Sequence, residues 1–334
     1  MKSFFYGRGK NKMQEKRVTI LAIVYNQEKY IDDFMQSLIN QTYKNIEVII
    51  ADDCSTDGSF EKVLWWKEKL EKRFVHVEVI QTPYNMGIVK NINNALKYVT
   101  GEYFKWIACD DMLLPLAVEQ LVEKMSYNPQ YGLVYSDYYI CSETECYSDF
   151  LKQTHEVHKA RVIAEQGQYA QALYEDDFIV APTIMTKWNV IKQLGLFDEN
   201  IGVEDWGTWI EIALNYDIGY LNQVTVGYRV VGNSLSRFTP DSKGRERLNN
   251  MIQNEIKILE KYRDNPRISE KKGIFACCEQ GISVAIDLNA GAVVSLLRKY
   301  ARDNKVRFSY GMELKYWLYC LKLWPWIKRI QQKF

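Results

Sequence analysis

The sequence predicts an α/β protein, a doubly wound and mostly parallel sheet with helices on both faces, followed by an α-helical extension. Three observations carry this. Short apolar runs alternate with segments of helical period from residue 17 to residue 107, as in successive βαβ units. Two of those runs close in paired carboxylates, Asp52-Asp53 and Asp110-Asp111. From residue 248 onward the pattern is helical throughout.

Residues 17–25 (RVTILAIVY) are β-branched and almost continuously apolar, which fits a strand buried on both faces of a parallel sheet. The period then changes: Tyr30, Ile31, Phe34, Met35 and Leu38 recur at three and four residues, one face of a helix. A strand over 46–51 leads into a turn, 52–59, rich in residues that cap helices and bond their own backbone. A helix over 60–72, a strand over 76–81, a helix over 88–99 and a strand over 103–107 complete the alternation, with right-handed crossovers. A helix over 116–125 and a strand over 131–140 come next. Residues 141–167 are polar, hold two of the three His and lack a steady period, so they read as a mobile loop region. A helix follows Glu204-Asp205 to about Asn215, and 218–231 reads as strands. These elements divide the chain into a leader (1–16), an α/β domain (17–240) and a helical extension (241–334).

Length and composition bound the function. The 334 residues suffice for one large domain with an extension. Lys plus Arg number 43 against 42 Asp plus Glu, and this balance gives no electrostatic case for nucleic acid as partner. The 23 Tyr, 13 Phe and 9 Trp suit both an aromatic core and stacking surfaces for sugars or bases. Seven cysteines without a Cys-x-x-Cys pair read as reduced thiols in the cytoplasm. The basic, polar start predicts no secretory signal. No stretch reaches the roughly 18 apolar residues of a membrane span, so any membrane contact is peripheral.

Carboxylates at strand ends of an α/β sheet sit in the crevice where ligands bind. A dinucleotide fold needs Gly-x-Gly-x-x-Gly after its first strand, but Tyr25-Asn26-Gln27-Glu28 stands there, and no Walker A sequence is present. Phosphate is therefore not cradled by a glycine loop. A divalent metal held by carboxylates is the natural counter-charge for a diphosphate.

The ordered set of motifs goes further. The segment 18–26 (VTILAIVYN), Ser37-Leu38-Ile39-Asn40-Gln41-Thr42-Tyr43, 47–59 (EVIIADDCSTDGS), Asn85-Met86-Gly87, Gly101-Glu102-Tyr103, 110–115 (DDMLLP), 194–198 (LGLFD), Glu204-Asp205, Tyr228-Arg229 and Ser234-Leu235-Ser236 span residues 17–236. Together they resemble family 2 glycosyltransferases of GT-A fold, including bacterial capsule and O-antigen sugar transferases. The resemblance implies a donor-nucleotide site at Tyr25, Glu28, Asp52, Asp53 and Asp111. Tyr25 would stack on the base, Asp53 would accept from the uracil N3–H, and Asp52 either braces the loop or touches ligand.

In the family an Asp-x-Asp motif holds Mn²⁺ or Mg²⁺; here Ala108 stands in the first position, leaving Asp110 as metal ligand, with Asp111 assisting through water or the ribose. Val231 stands near where many relatives carry a His. Glu204-Asp205 matches the acidic motif that supplies the base, which implies Asp205 as base and Glu204 as its orienting partner. Trp206 and Trp209 offer either an apolar platform for an acceptor sugar or core packing.

The reading is thus an inverting transferase that moves one sugar from a nucleotide-sugar donor, UDP-linked, to a glycan or lipid-diphosphate-linked acceptor. A processive synthase lacks support, because neither membrane spans nor Gln-x-x-Arg-Trp is present. Ala108 and Val231 keep a non-catalytic binding module of the same fold as the alternative, with a nucleotidyltransferase as a third. Near the carboxyl terminus, Trp317, Trp324 and Trp326 interleave with Lys315, Lys322, Lys328, Arg329 and Lys333. This composition suits either a peripheral helix at the inner face of the plasma membrane or an amphipathic helix packed on the catalytic domain.

Overall fold

A computed structural model of the chain describes residues 16–232 and 238–331. Most of the leader and the Ser234-Leu235-Ser236 motif lie outside them. In chain order the elements are β1 (Val18–Val24), α1 (Ile31–Ile39), β2 (Ile46–Asp52), α2 (Ser59–Arg73), β3 (His76–Gln81), α3 (Ile88–Ala95), β4 (Tyr103–Ala108), β5 (Met112–Leu113), α4 (Ala117–Tyr127) and β6 (Tyr131–Cys141). There follow α5 (Tyr147–Phe150), β7 (Val157–His158), α6 (Tyr169–Glu175), β8 (Met185–Lys187), α7 (Trp188–Gln193), α8 (Trp206–Asn215) and β9 (Asp217–Arg229). The extension holds α9 (Ser242–Tyr262), α10 (Glu270–Asp287), α11 (Gly291–Asp303), α12 (Tyr310–Cys320) and α13 (Trp324–Gln331).

The strands form one sheet of order β3-β2-β1-β4-β8-β6-β9-β5, with β7 paired to β6. β3, β2, β1 and β4 are mutually parallel, as the βαβ alternation predicts. β8 then pairs antiparallel with both β4 and β6, and β6 runs parallel to β9. Two departures from expectation are local. Residues 141–167 carry the helical turn α5 and the strand β7, and in place of several strands over 218–231 there is one thirteen-residue strand, β9, beginning at Asp217. β5 and β8, two and three residues long, are too short for any sequence period to show.

Register explains the placement of the site. Ile23 is level with Ala51 and Ala108, and Val24 with Asp52. The residues that follow each strand, Tyr25, Asp53 and Cys109, therefore emerge together at the carboxyl edge. Burial on both faces gives β1 and β2 their uninterrupted apolar character. On one face Val18, Ile20 and Ala22 pack with Phe34 and Leu38 of α1, Val63 and Leu70 of α2, and Leu121 of α4.

The other face shares its core with the extension. Leu21, Ile49, Phe104 and Trp106 belong to the same buried cluster as Leu248, Ile252 and Ile258 of α9, Ile274 and Ile282 of α10, and Leu297 of α11. Each fully buried Leu or Ile contributes about 1.5–3 kcal/mol, so these helices are part of what holds the sheet. Hydrogen bonds stitch the same seam: Tyr174 Oη donates to Leu259 O at 2.9 Å, and Tyr262 Oη to Gly207 O at 2.9 Å. Asp241 starts the extension as N-cap of α9, accepting from Gly244 N–H.

At the opposite, amino edge of the sheet the fully buried Glu47 accepts from Thr19 Oγ1 at 2.5 Å, Thr100 N–H at 2.7 Å, Gly101 N–H at 3.1 Å and Thr100 Oγ1. Removing this acceptor strands several buried donors, each costing about 1–3 kcal/mol. Glu47→Ala is therefore expected to lower unfolding free energy by about 3–5 kcal/mol in urea titration, far beyond an exposed Glu→Ala such as that at Glu102.

Candidate active site

The edge begins with Tyr25, 44 % exposed at the end of β1, followed by Asn26 in the left-handed region (φ 52°). Asn26 Oδ1 accepts from Thr56 N–H at 2.8 Å, tying this turn to the loop after β2. Glu28 braces the same loop: its N–H donates to Asp57 Oδ2 at 3.2 Å, and its Oε2 accepts from Gly58 N–H at 3.2 Å. Asp52 is fully buried and accepts from Ser55 N–H, Ser55 Oγ and Gln81 Nε2, so bracing is the role its geometry displays. Asp53 clamps the loop before α3. Its Oδ1 accepts from Thr82 Oγ1 at 2.9 Å and Met86 N–H at 2.8 Å, and its Oδ2 from Gly87 N–H at 2.8 Å. Gly87 has φ 84°, a conformation that favours glycine. A carboxylate oxygen with one donor retains capacity for another, so Asp53 Oδ2 has an unused acceptor position, within a residue that is 3 % exposed.

The second cluster is locked to β9. Arg229 N–H donates to Asp111 Oδ1 at 2.9 Å and its Nε to Asp110 O at 2.8 Å. The guanidinium, 3 % exposed, also donates to Glu145 O at 2.6 Å, Glu143 O at 3.1 Å and Asp33 Oδ2 at 3.2 Å, and lies over the Tyr30 ring. Asp111 is buried against β9, so its carboxylate is committed inside the protein. Burial pushes its carboxyl well above the usual range, with the Asp110 charge adding to the effect. Burial raises Asp110 too, opposed by its own backbone amide and by Arg229. Beneath them the fully buried Lys105 donates to Pro182 O and, at 3.0 Å, to Ile184 O. Burial lowers its ammonium to about 7, against the pull of Asp111.

The third cluster stands at the head of α8. Asp205 is the N-cap, its Oδ1 accepting from Trp206 N–H at 2.7 Å, and Glu204 O accepts from Thr208 Oγ1. An aromatic stack fixes this head over β4: Trp209 lies parallel to Trp106 at 5.3 Å, and Phe197 meets Trp106 edge-on at 5.0 Å. Trp206 and Trp209 are 7 % and 0 % exposed, with indole N–H groups bonded to Leu173 O and Ile179 O, so these rings serve as core packing. The buried Trp106 Nε1 has no closed hydrogen bond, yet it faces Glu204 closely enough to favour its carboxylate form.

Glu204 and Asp205 are half-buried, with protein packed closely around both carboxyls. This enclosure, reinforced by Asp205, raises Glu204 to about 8, and burial raises Asp205 as well. Asp177, just after α6, joins them. It is exposed, and the charges of Asp205 and Glu204 bear on its carboxyl. Sequence reasoning overlooked Asp177, because neither its spacing nor its neighbours distinguish it from a loop acid.

Residues 19–172 match the family described as Glycosyl transferase family 2. A glycosyltransferase of Haemophilus influenzae is 28 % identical over 222 residues, covering 66 % of this chain and 67 % of that protein. By the family match, residues 19–172 form a glycosyltransferase family 2 domain. Solved structures extend the likeness of fold over more of the transferase. A mannosyltransferase of Pyrobaculum calidifontis in complex with GDP-Man and Mn²⁺ superposes with TM-score 0.58 at 16 % identity, covering 96 % of this chain and 89 % of that one. TarS 1-349 of S. aureus in complex with UDP-GlcNAc gives 0.52 at 18 %, covering 81 % and 73 %. At such identities the shared property is the fold.

Among the described residues no group of three or more His, Cys, Asp or Glu is arranged to hold a metal ion. Asp110 nevertheless fits a hard cation of the Mg²⁺ or Mn²⁺ kind. Such ions are commonly held by one or two carboxylates together with substrate phosphates and water, and Asp110 is an enclosed oxygen donor lacking a nearby cation other than Arg229.

The raised carboxyls at the head of α8 have a stability consequence. An acid with a higher pKa folded than unfolded binds more protons when folded, so its contribution declines as pH rises from the ordinary carboxylate range through the folded pKa. Thermal denaturation should show Tm falling between pH 5 and pH 9, and Glu204→Gln should shrink that fall, since a neutral amide has no proton to lose. A slope identical to wild type would place Glu204 outside the enclosed pair.

Proposed function

We propose that the transferase moves one sugar, with inversion, from a UDP-linked donor to a glycan or lipid-diphosphate-linked oligosaccharide at the inner face of the plasma membrane. The observation that carries this is the acid pair at the head of α8: two enclosed carboxyls that cannot both ionise at little cost, so that one holds a proton while the other accepts. Asp205 is the acceptor of the sugar hydroxyl's proton. Glu204, retaining its own, orients it.

Tyr25 presents a ring face to the base at the end of β1, and Asp53 Oδ2 accepts from the pyrimidine N3–H while Oδ1 keeps the loop before α3 in place. Asp110, with the donor diphosphate, would hold the divalent ion, which offsets the negative charge of the leaving group. As Asp205 draws off the proton, the acceptor oxygen bonds to the anomeric carbon from the face opposite the departing diphosphate, and the carbon–oxygen bond to phosphate breaks. Configuration inverts in this single displacement. Arg229 keeps the 110–111 turn fixed through the bonds from its amide and Nε.

The first test is a screen of UDP- and GDP-sugars for released nucleotide with Mn²⁺. Asp205→Asn is expected to lower kcat by about 10²–10⁴ while calorimetry finds donor affinity near wild type. Loss of donor binding together with activity would put Asp205 in the donor pocket. Asp110→Asn is expected to abolish stimulation by metal, whereas Asp111→Asn weakens activity through the β9 contact. An Asp110 variant whose activity is unaffected by chelator and equal to wild type would locate the metal elsewhere.

A further inference from the structure

The outer surface of the extension carries chemistry that sugar transfer does not use. Four cations, Lys271 and Lys272 at the start of α10 and Lys305 and Arg307 between α11 and α12, line a groove of about 610 Å³ whose apolar wall includes Phe275, 38 % exposed. Glu175 is the one acid on its lining, and it already accepts from Gln171 Nε2 at 2.7 Å. Among the described residues these four cations have no ion-pair partner. Such a concentration of unpaired positive charge repels itself and is relieved by an anion.

Three residues beyond Arg307 an apolar stripe begins. Tyr310, Leu314, Trp317 and Leu321 are 87 %, 45 %, 58 % and 48 % exposed, and their spacing of four, three and four places them along one side of α12. The inward side is packed: Met312 is buried, and Tyr316 and Tyr319 rest on the core shared with the sheet. Leu323 and Trp326 continue the exposed apolar surface into α13. The packed-helix reading of the carboxyl-terminal segment thus holds for the inward side, while the outward side is left as an uncovered apolar surface.

The expected source of its positive charge does not hold in full. Lys315 lies 3.2 Å from Asp287, donates to Ser283 Oγ at 2.7 Å and covers the Trp324 ring, while Lys328 lies 3.9 Å from the same Asp287. Those cations are engaged internally.

We propose that the groove receives the phosphate of an anionic phospholipid while the Tyr310–Trp317 side of α12 enters the acyl boundary, docking the transferase on an anionic bilayer. Charge complementarity selects an anionic occupant, and the adjoining Tyr, Trp and Leu select a lipid surface over a free anion, because aromatic and aliphatic side chains gain most at the headgroup–acyl boundary. The inference deepens the lipid-linked acceptor reading and rests on it for its biological sense, but its physics does not depend on catalysis.

The test is co-sedimentation of the full chain with vesicles of phosphatidylcholine alone or mixed equally with phosphatidylglycerol, at low and high salt. Each cation near an anionic surface is worth about fivefold in partitioning. Lys305→Glu combined with Arg307→Glu is therefore expected to weaken binding to phosphatidylglycerol vesicles at least 20-fold and to flatten the salt response. Leu314→Ser with Trp317→Ser should weaken binding while the salt response persists. Donor hydrolysis by the groove variant should equal wild type, so an inactive wild-type chain that still binds vesicles would sink the transfer reading and leave this one standing. Wild-type binding that is equal on both vesicle types, or a groove variant that binds like wild type, overturns the proposal. So does tight binding of inorganic phosphate by the wild type, abolished in the groove variant, without any vesicle binding.

Discussion

The buried guanidinium of Arg229 is the contact on which the site depends. One side chain at the end of β9 reaches the 110–111 turn, the carbonyls of residues 142–145, Asp33 of α1 and the ring of Tyr30. A nearly dry cation is costly unless its donors are satisfied, and here they are met largely by carbonyl oxygens held by the backbone. Loops that would otherwise lie open over the carboxyl edge are thus tied to a strand of the sheet. The stability of the site and the placement of Asp110 share one cause.

The acid pair at the head of α8 follows a second constraint. Parallel strands β1, β2 and β4 end level with one another, so loop residues converge at one edge, while the Trp106–Trp209 stack sets the head of α8 above the same edge. Carboxyls brought together there repel, and low solvent access magnifies the repulsion. The raised carboxyls of Glu204 and Asp205 express chiefly their burial, with the Asp205 charge adding to the effect at Glu204. A scaffold that merely packed well would gain by replacing such groups with apolar ones.

The extension completes the picture from the far side of the sheet. α9, α10 and α11 bury one sheet face and join Tyr174 and Tyr262 across the seam, while α12 and α13 leave an apolar side uncovered. Structural support and an exposed apolar surface are therefore carried by successive helices of one unit.

The alternation of buried strands and amphipathic helices was legible in the sequence because periods of 2 and 3.6 are imposed by the backbone itself. The strand-end carboxylates and the family motifs were legible because they are contiguous in the chain. What contiguity could not supply, the tertiary structure decided. Asp177 joins Glu204 and Asp205 from a separate segment, Asp52 and Glu28 turn their carboxylates to loop bracing, and Trp206 and Trp209 turn their rings into the core. Lys315 meets Asp287, while Lys305 and Arg307 meet Lys271 and Lys272 across a groove. A side chain's partner and its exposure are set by packing between segments distant in sequence, and no local pattern encodes them.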